Sequence, residues 1–475
     1  MLNGYHYKGP LPLGSVVAHN CGAAGLFSDA VNPDVVLDAV ENGDSYVLSV
    51  RVDGIERTFT GAITSLGRRH IGQALLVFLR ELQGLPSYNE WGTMVGVRPT
   101  KLLHKYIDTY GSVEEATRHI RDEFSVSMEK LDTLAAIGVY QRPFVEVCDD
   151  RDVSIYCGIP FCETRCVYCS FPYGLYQQYP QQDLFINTLM MDIDDMVSLC
   201  ESYGLNVKTL YMGGGTPTIL DNDSFDTVLR GLSRIVPKGR EFTVEAGRPD
   251  SVTKEKIKSM ESCHVNRISI NPQTMDDIIL RAIGRGHTVQ DIDDMYRYVR
   301  KYTKLAVNMD FIAGLPHQQM IHMVDNMDYI CQNLPENVTI HTLAIKRGSP
   351  LYDLQMQEHV PNESLVRDMV QYAKERLEVA GYVPYYLYRQ QYMKGQLENI
   401  GYTLPGKACE YNINIMEERQ TIMSIGPGSS SKWMRAPLFR QKKQHMPKDV
   451  DVYNATIQSL LNKRHALCDS FWEVQ

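Results

Sequence analysis

The chain has 475 residues, of which 44% are hydrophobic and 22% are charged, as in ordinary globular proteins, and its length favours two or three domains. Its formal net charge of −9 argues against general binding to nucleic acid or to an anionic membrane. The longest wholly apolar run, ALLVFL at 74–79, is far shorter than the roughly 20 residues that a membrane-spanning helix needs.

The 11 cysteines indicate the redox compartment. Their number is odd, and only those between 157 and 169 form a group, which is unlike a secreted disulfide framework. The N-terminal MLNGYHYKGPLPLGSVVAHN makes a poor signal peptide because proline breaks its short apolar stretch. We therefore expect a cytoplasmic, reduced chain with one metal cluster and no membrane partner.

Residues 1–150 are predicted to form an α+β region of unassigned role. SYVLSVRVDGIERTFTGAI (45–63) contains two alternating apolar runs separated by Asp53-Gly54, which predicts a hairpin. HIGQALLVFLRELQG (70–84) and PTKLLHKYIDTYG (99–111) have helical periodicity and end in glycine.

Residues 151–350 are predicted to form a parallel sheet in an α/β fold. Six short apolar runs alternate with amphipathic segments, the pattern of repeated βαβ units: 153–161, 207–215, 241–247, 265–270, 305–314 and 338–345. Six such units make a partial (β/α)6 barrel, in which functional residues gather at the carboxyl ends of the strands. Residues 351–475 are predicted to form a smaller α/β extension that closes over the barrel mouth.

The central motif is CETRCVYC at 162–169, a C-x3-C-x2-C run. Clustered thiolates select zinc or an iron–sulfur cluster, and zinc sites usually have a second cysteine pair that this segment lacks. Three cysteines on one loop suit a [4Fe–4S] cluster in which the fourth iron takes a ligand from outside the protein. Cys157 is interpreted as a strand residue, not as a fourth ligand.

YCGIPFCETRCVYCSF (156–171) resembles the signature of the radical S-adenosylmethionine (SAM) superfamily, and its start resembles the oxygen-independent coproporphyrinogen III oxidase group. The resemblance implies that Cys162, Cys166 and Cys169 bind the cluster and that SAM chelates the open iron. Electron transfer to SAM then gives methionine and a 5′-deoxyadenosyl radical. Tyr156 matches a family tyrosine and is carried over as a catalytic residue.

Two further segments, YMGGGTP (211–217) and TVEAG (243–247), lie at the ends of predicted strands. The first offers glycine backbone and the second a carboxylate, both of which can bind a zwitterionic ligand. Bare glycine backbone lets a ligand approach closely. The resemblance implies that SAM binds at Gly213, Gly214, Gly215 and Thr216 and at Glu245, which is also carried over as catalytic. An ordinary tight turn and a surface carboxylate are the alternatives.

The next two motifs are NRISINPQTMDDIILRAIGRGHT (266–288) and VNMDFIAGLP (307–316). The first resembles a family segment in which a glutamine and an arginine contact SAM, here Gln273 and Arg285. An arginine fork suits a carboxylate, although a helix cap is an alternative for Arg285. In the second, Asn308 and Asp310 are expected to face the barrel interior, and Asp310 is carried over as a cofactor-binding and catalytic residue.

The segments VGVRPTKL (95–102), YLYRQQYMKGQLENIGY (386–402) and GPGSSSK (426–432) resemble the HemZ-type coproporphyrinogen dehydrogenase branch. The leading hypothesis is therefore oxidative decarboxylation of coproporphyrinogen III. Its partners would be a tetrapyrrole, an electron donor such as flavodoxin or ferredoxin, and an electron acceptor that the sequence leaves unidentified. Four cations are candidates for binding propionates, and four tyrosines are candidates for a macrocycle wall or for core: Lys346, Arg347, Arg389 and Lys394; Tyr385, Tyr386, Tyr388 and Tyr392.

Three alternatives remain open. One is a haem-binding chaperone, for which His287, His341 and Cys409 are the available axial ligands. The second is radical methyl transfer or anaerobic haem ring opening. The third is RNA modification, which the negative net charge of the chain disfavours. The better-known oxidases have a further cysteine where this chain has Phe171, which leaves the number of bound SAM molecules open.

Overall fold

The structure is a computed structural model that describes residues 2–84, 90–94, 98–146, 149–170, 174–346, 348–353, 359–390, 397–436 and 440–473. The chain divides into two compact units, one formed by 1–140 with 387–399 and the other by 141–386 with 400–475. The division at 150 and 350 that we expect from the sequence stays a prediction. No helix among the described residues is long and apolar enough to cross a bilayer.

The first unit is built on a five-stranded sheet in the order β2-β1-β3-β4-β5. Asp53 and Gly54 adopt positive φ angles of 46° and 79°, so the predicted hairpin forms between β4 and β5. Buried aliphatic side chains of this sheet pack against α1 and α2. Its elements are β1 (Gly4–Lys8), α1 (Leu11–Ala23), β2 (Phe27–Ser28), β3 (Val35–Asn42), β4 (Ser45–Val52), β5 (Ile55–Ala62), α2 (Ser65–Leu82), α3 (Pro99–Tyr110), α4 (Val113–Phe124) and most of α5 (Met128–Val145).

The second unit contains the six predicted strands, all parallel and in sequence order across the sheet. The strands are largely buried, with few exposed residues, as expected when helices cover the sheet. Its barrel elements are β6 (Asp152–Ile159), β7 (Phe161–Cys162), β8 (Gly174–Leu175), α6 (Gln182–Ser202), β9 (Asn206–Gly214), α7 (Asn222–Ser233), β10 (Glu241–Glu245), α8 (Lys254–Ser262), β11 (Arg267–Ser269), α9 (Asp277–Ala282), α10 (Val289–Tyr302), β12 (Ala306–Ala313), α11 (Met320–Asn333) and β13 (Asn337–Thr342).

The C-terminal strands extend this sheet at both edges, which gives 11 strands in the order β14-β15-β13-β12-β11-β10-β9-β6-β16-β17-β18. β15 is antiparallel to β13, whereas β16 is parallel to β6. The predicted α/β fold with a partial barrel and a C-terminal α/β extension is confirmed. The remaining elements are α12 (Pro350–Asp353), α13 (Glu363–Val379), β14 (Val383–Tyr388), β15 (Asn399–Thr403), α14 (Glu410–Glu417), β16 (Thr421–Ile425), β17 (Ser430–Arg435), β18 (Arg440–His445) and α15 (Val450–Cys468).

A buried ion pair fastens the C-terminal helix to the barrel. Arg464 of α15 donates to Asp192 Oδ1 of α6 at 2.6 Å and to the Ser424 carbonyl of β16 at 3.1 Å. The Tyr453 hydroxyl and the Gly426 N–H donate to Asp192 Oδ2. Because both charged side chains are fully buried, each needs this set of partners.

Candidate functional site

The parallel register brings the sequence motifs to one edge of the second unit. Ile159 at the end of β6 is level with Gly214 at the end of β9. Glu245 ends β10 beside Ser269 of β11. The cluster loop, defined as residues 162–169, follows β6 at the same edge. The residues that the sequence places after different strands are therefore neighbours in space.

The three predicted cluster ligands lie on the cluster loop and are partly exposed. Cys162, Cys166 and Cys169 form no disulfide, and the Cys169 N–H donates to the Cys166 carbonyl at 3.0 Å. The pKa of Cys162 is raised to about 11, chiefly by burial and with smaller contributions from the thiols of Cys169 and Cys166. The Thr216 hydroxyl, which donates to Cys162 Sγ at 3.7 Å, opposes the shift.

This donor set fits a cubane cluster better than a single ion. Among the described residues, no three His, Cys, Asp or Glu side chains converge as the ligands of one metal ion. In a [4Fe–4S] cube each thiolate binds its own iron, so convergence on one point is not required. Cys157 is fully buried within β6, as expected for a strand residue. The ligand assignment to the three loop cysteines stays a prediction.

The glycine run, residues 213–215, is packed so closely that side chains at its first and last positions would clash with their neighbours. A Cβ at Gly215 would stand 2.2 Å from the Phe161 carbonyl oxygen, and one at Gly213 would stand 2.8 Å from Glu245 Cδ. Gly214 has a φ of +112°, a conformation that favours glycine. The run therefore packs bare backbone between Phe161, the residue before the cluster loop, and Glu245. Its binding of SAM stays a prediction.

Glu245 is held by two hydrogen bonds at the end of β10. Tyr211 donates its phenol proton to Oε1 at 2.6 Å, and the Gly214 N–H donates to Oε2 at 3.1 Å. Burial raises the pKa of Glu245 to about 7, the Tyr211 hydrogen bond opposes this shift, and the charge of Asp310 adds to it. Glu245 is therefore an inward-facing carboxyl near its midpoint at neutral pH, not a surface acid.

Tyr211 is a site residue that the sequence reasoning missed. It lies two residues before Gly213 in β9, so the alternation of the strand places both on one face, and this signal was available. Its ring stacks on Tyr411 with 4.6 Å between centroids and lies 6.3 Å from Tyr156. A Cβ at Gly214 would lie 3.2 Å from the Tyr156 hydroxyl. Tyr156 thus reaches the glycine run, while its catalytic role stays a prediction.

Gln273 and Arg285 lie in the segment after β11. Gln273 is buried, has a φ of 70°, and exchanges backbone hydrogen bonds with Asp310 and Ile312 of β12. Arg285 donates to the Gly247 carbonyl at 2.9 Å and to the Tyr168 hydroxyl at 3.1 Å.

These contacts decide between the two interpretations of Arg285. The guanidinium bonds the segment after β10 and the cluster loop, and α9 already ends at Ala282, so Arg285 does not cap that helix. Its buried Nε has no hydrogen-bond acceptor within the described part of the chain. An unsatisfied buried donor fits the predicted SAM carboxylate.

Asn308 and Asp310 share one face of β12 but have different partners. Asn308 Oδ1 accepts from Arg267 at 2.9 Å, so this amide belongs to an internal polar cluster. Asp310 Oδ2 lies 3.6 Å from His341 Nε2 of β13, and both side chains are about one-quarter exposed. The strand register puts Asp310 and His341 on the same face of the sheet as Glu245. That this face is the barrel interior stays a prediction.

The candidate substrate contacts differ in their surroundings. Lys346 follows β13 and is partly exposed. Arg389 is buried in the first unit, where it donates to the Met94 carbonyl at 2.8 Å and lies over the Trp91 ring. Tyr385 and Tyr386 are buried core residues, as the simpler interpretation held. Phe171, Arg347, Tyr392 and Lys394 lie outside the described residues.

The haem-ligand candidates are unequal. Cys409 is fully buried and its thiol contacts Glu241 Oε1 at 3.3 Å. His287 is buried, 3.9 Å from Asp250. His341 of β13 is the partly exposed member of this group, 3.6 Å from Asp310.

The chain is similar to one known superfamily and to several known proteins. The profile of the radical SAM superfamily matches residues 156–330. HemZ from Bacillus subtilis, named an oxygen-independent coproporphyrinogen-III oxidase-like protein, is 36% identical over 406 residues, which cover 84% of this chain and 81% of HemZ. The heme chaperone HemW from Escherichia coli is 28% identical over 59% of this chain and 70% of its own length. The solved structure of coproporphyrinogen III oxidase HemN from Escherichia coli has a TM-score of 0.49 and 17% identity, covering 71% of this chain and 82% of HemN.

The superfamily match implies a [4Fe–4S] cluster and SAM as cofactors. The 36% identity to HemZ extends beyond the barrel to 84% of the chain. The chain therefore belongs to the radical SAM superfamily and, within it, to the family of the oxygen-independent coproporphyrinogen-III oxidase-like protein HemZ.

Proposed function

We propose that this protein is a radical SAM enzyme that converts propionate side chains of coproporphyrinogen III to vinyl groups by oxidative decarboxylation. The similarity to HemZ, whose name refers to this reaction, supports the chemistry. The observation that carries the proposal is the position of Lys346, which follows β13 in a segment whose Leu351 N–H donates to the Val167 carbonyl of the cluster loop at 2.7 Å. We propose that its ammonium binds a propionate carboxylate.

Lys346 is a partly buried cation that pairs with no carboxylate among the described residues. Burial lowers its pKa, whereas the nearby Cys169 favours its charged form. A partly buried charge is costly unless an opposite charge meets it. The carboxylate of a propionate would supply that charge at the edge where the strands end.

The residues that would hold the cofactors follow β6, β9, β10 and β11 at the edge where these parallel strands end. Cys162, Cys166 and Cys169 would bind three irons, the glycine run and Glu245 would bind the SAM amino group, and Arg285 its carboxylate. When bound, the cluster and SAM supply a strong hydrogen-abstracting radical. The orphaned Arg285 Nε and the tightly packed glycine run support this placement.

The balance of the reaction defines what the protein's own groups must do. Each propionate loses one hydrogen atom from its β-carbon, its carboxylate as CO2, and one electron to an external acceptor. Lys346 fixes the carboxylate, and no proton from the protein is consumed. The rings of Tyr156, Tyr211 and Tyr411 stack on one another, and the Tyr211 hydroxyl donates to Glu245.

The test is an anaerobic incubation of the reconstituted protein with SAM, a reductant such as reduced flavodoxin, and coproporphyrinogen III. Chromatography should show vinyl products and 5′-deoxyadenosine in matching amounts. Absence of both products, with SAM and substrate present and the iron content full, would contradict the proposal.

A second candidate is haem binding, since the haem chaperone HemW is also similar to this chain. The partly exposed His341 of β13 is the observation that favours it, because haem iron takes an axial histidine. Stoichiometric haem binding that His341→Ala abolishes, with SAM left uncleaved, would favour this candidate over the oxidase.

A further inference from the structure

The segment after β10 contains a buried arginine that contacts the cluster loop. Arg248 is 3% exposed, and its Nη1 donates to the Thr164 hydroxyl at 2.7 Å. Thr164 lies between Cys162 and Cys166, and its hydroxyl donates onward to the Gly284 carbonyl at 2.9 Å. One guanidinium therefore links the loop that bears the cysteines to two other parts of the barrel edge.

The rest of the guanidinium is fixed by a carboxylate. Asp250 accepts from Nη2 at 2.8 Å and from Nε at 3.2 Å, the bidentate geometry that restricts an arginine most strongly. The Arg248 carbonyl accepts from the Ser251 hydroxyl at 2.9 Å, which fixes the turn. The Arg248 side chain therefore has a defined position.

The positive charge of Arg248 lies beside the cluster loop. Its Nη1 donates to the Thr164 hydroxyl at 2.7 Å, and Thr164 is two residues from both Cys162 and Cys166. A cation at this position attracts negative charge on those sulfurs or on iron bound to them. Charges and hydrogen bonds around the ligands are known to set the potentials of iron–sulfur clusters.

We infer that Arg248 is a positioning residue that fastens the cluster loop through Thr164 and raises the reduction potential of the cluster. The negative charge of Asp250 partly offsets the positive charge of Arg248. The inference rests on Cys162, Cys166 and Cys169 as the cluster ligands, but it holds for either candidate function. Because reduction adds negative charge, a nearby cation stabilises the reduced state and raises the potential.

The test is a redox titration of anaerobically reconstituted protein, followed by electron paramagnetic resonance. Arg248→Met should shift the potential to more negative values, whereas Asp250→Asn, which leaves the cation uncompensated, should shift it to more positive values. Arg230→Met is the control, since Arg230 forms the same kind of bidentate pair with Asp226 but is 63% exposed on α7. If the two substitutions only disturbed the packing of the loop, they would not be expected to shift the reduction potential in opposite directions.

A second measurement examines the tether and needs no cluster. Thr164→Val keeps the Arg248–Asp250 pair but removes the hydroxyl, so trypsin should cleave the iron-free protein after the exposed Arg165 several-fold faster. Cleavage at the wild-type rate would overturn the tether. Potentials that stay unchanged, or that move in one direction in both charge variants, would overturn the electrostatic role.

Iron content separates this inference from the ligand assignment. The Arg248 and Asp250 variants should retain full iron, whereas Cys166→Ala should lose it. Full iron in Cys166→Ala would refute the ligand assignment itself. Loss of iron from both charge variants would show that the contacts serve only to fold the loop, and would overturn the role in setting the potential.

Discussion

The Tyr211 hydroxyl donates a 2.6 Å hydrogen bond to Glu245 Oε1, which joins two neighbouring strands at the end of the barrel. The hydrogen bond fixes the direction of a carboxyl whose pKa burial raises to about 7. Because the phenol donates to the charged form, it favours the carboxylate at neutral pH. Protonation of Glu245 is thus coupled to a residue outside the glycine run.

Glu245 should make the stability of the iron-free protein depend on pH. The folded-state pKa is about 7, above the ordinary 4.5, so the carboxyl's stabilising contribution is complete below 4.5 and is lost as pH rises through 7. Between pH 4.5 and 8 the wild type should lose about 2 to 3 kcal/mol of unfolding free energy relative to Glu245→Gln. Urea denaturation across this range measures the difference, and parallel curves for the two proteins would contradict it.

Tyr211→Phe should raise the pKa of Glu245 further, since it removes the donor that stabilises the carboxylate. The pH at which SAM binding changes should therefore move upward by about one unit, from a hydrogen bond to a charged group worth about 1.5 kcal/mol or more. Equilibrium dialysis of SAM as a function of pH tests this. Tyr296→Phe, which removes another buried-ring hydroxyl on α10, should leave the profile unchanged.

Gly215→Ala should abolish tight SAM binding while leaving the cluster in place. The new Cβ would stand 2.2 Å from the Phe161 carbonyl oxygen, so the backbone of the glycine run must move. We expect SAM affinity to fall at least tenfold, about 1.4 kcal/mol. Gly174→Ala is the matched control, because its Cβ would meet the Phe161 ring at 3.4 Å, an ordinary contact. Equal affinities of the two variants would show that the glycine run is not part of the SAM site.

Cys166→Ala should lose the brown absorbance and the full complement of about four irons of a [4Fe–4S] cluster. Cys157→Ala is the control, since Cys157 is fully buried in β6 and predicted not to bind iron. Iron and sulfide analysis after anaerobic reconstitution distinguishes the two. Iron loss from Cys157→Ala with retention by Cys166→Ala would reverse the assignment.

Lys346→Met should raise the KM for coproporphyrinogen III about tenfold or more, because a hydrogen bond between charged groups contributes about 1.5 to 3 kcal/mol. Lys443→Met, on the exposed face of β18, should have no effect. Steady-state kinetics measure both. A change in kcat alone would place Lys346 in cluster function and not in substrate binding.

Much of the barrel could be predicted because its signals are local. Apolar runs bounded by glycine and separated by helical periodicity identify strands wherever the chain goes, so all six parallel strands were anticipated. The C-x3-C-x2-C motif and the glycine run are each contained in a few consecutive residues. What each can bind follows from its residue types, thiols in the first and bare backbone in the second. The sequence by itself therefore determined the fold class, the cluster loop and the segment that packs against it.

Only the tertiary structure decided which distant groups meet. Strand alternation predicts which face of its own strand each of Glu245, Asp310 and His341 occupies. Which of these side chains come close together depends on the register between neighbouring strands. The pairing of β16 with β6, the buried Arg464–Asp192 pair and the burial of Arg389 in the first unit have no local pattern at all. The same holds for Arg248 and Thr164, 84 residues apart. Side-chain pairing across the fold depends on packing and burial, which local periodicity does not encode.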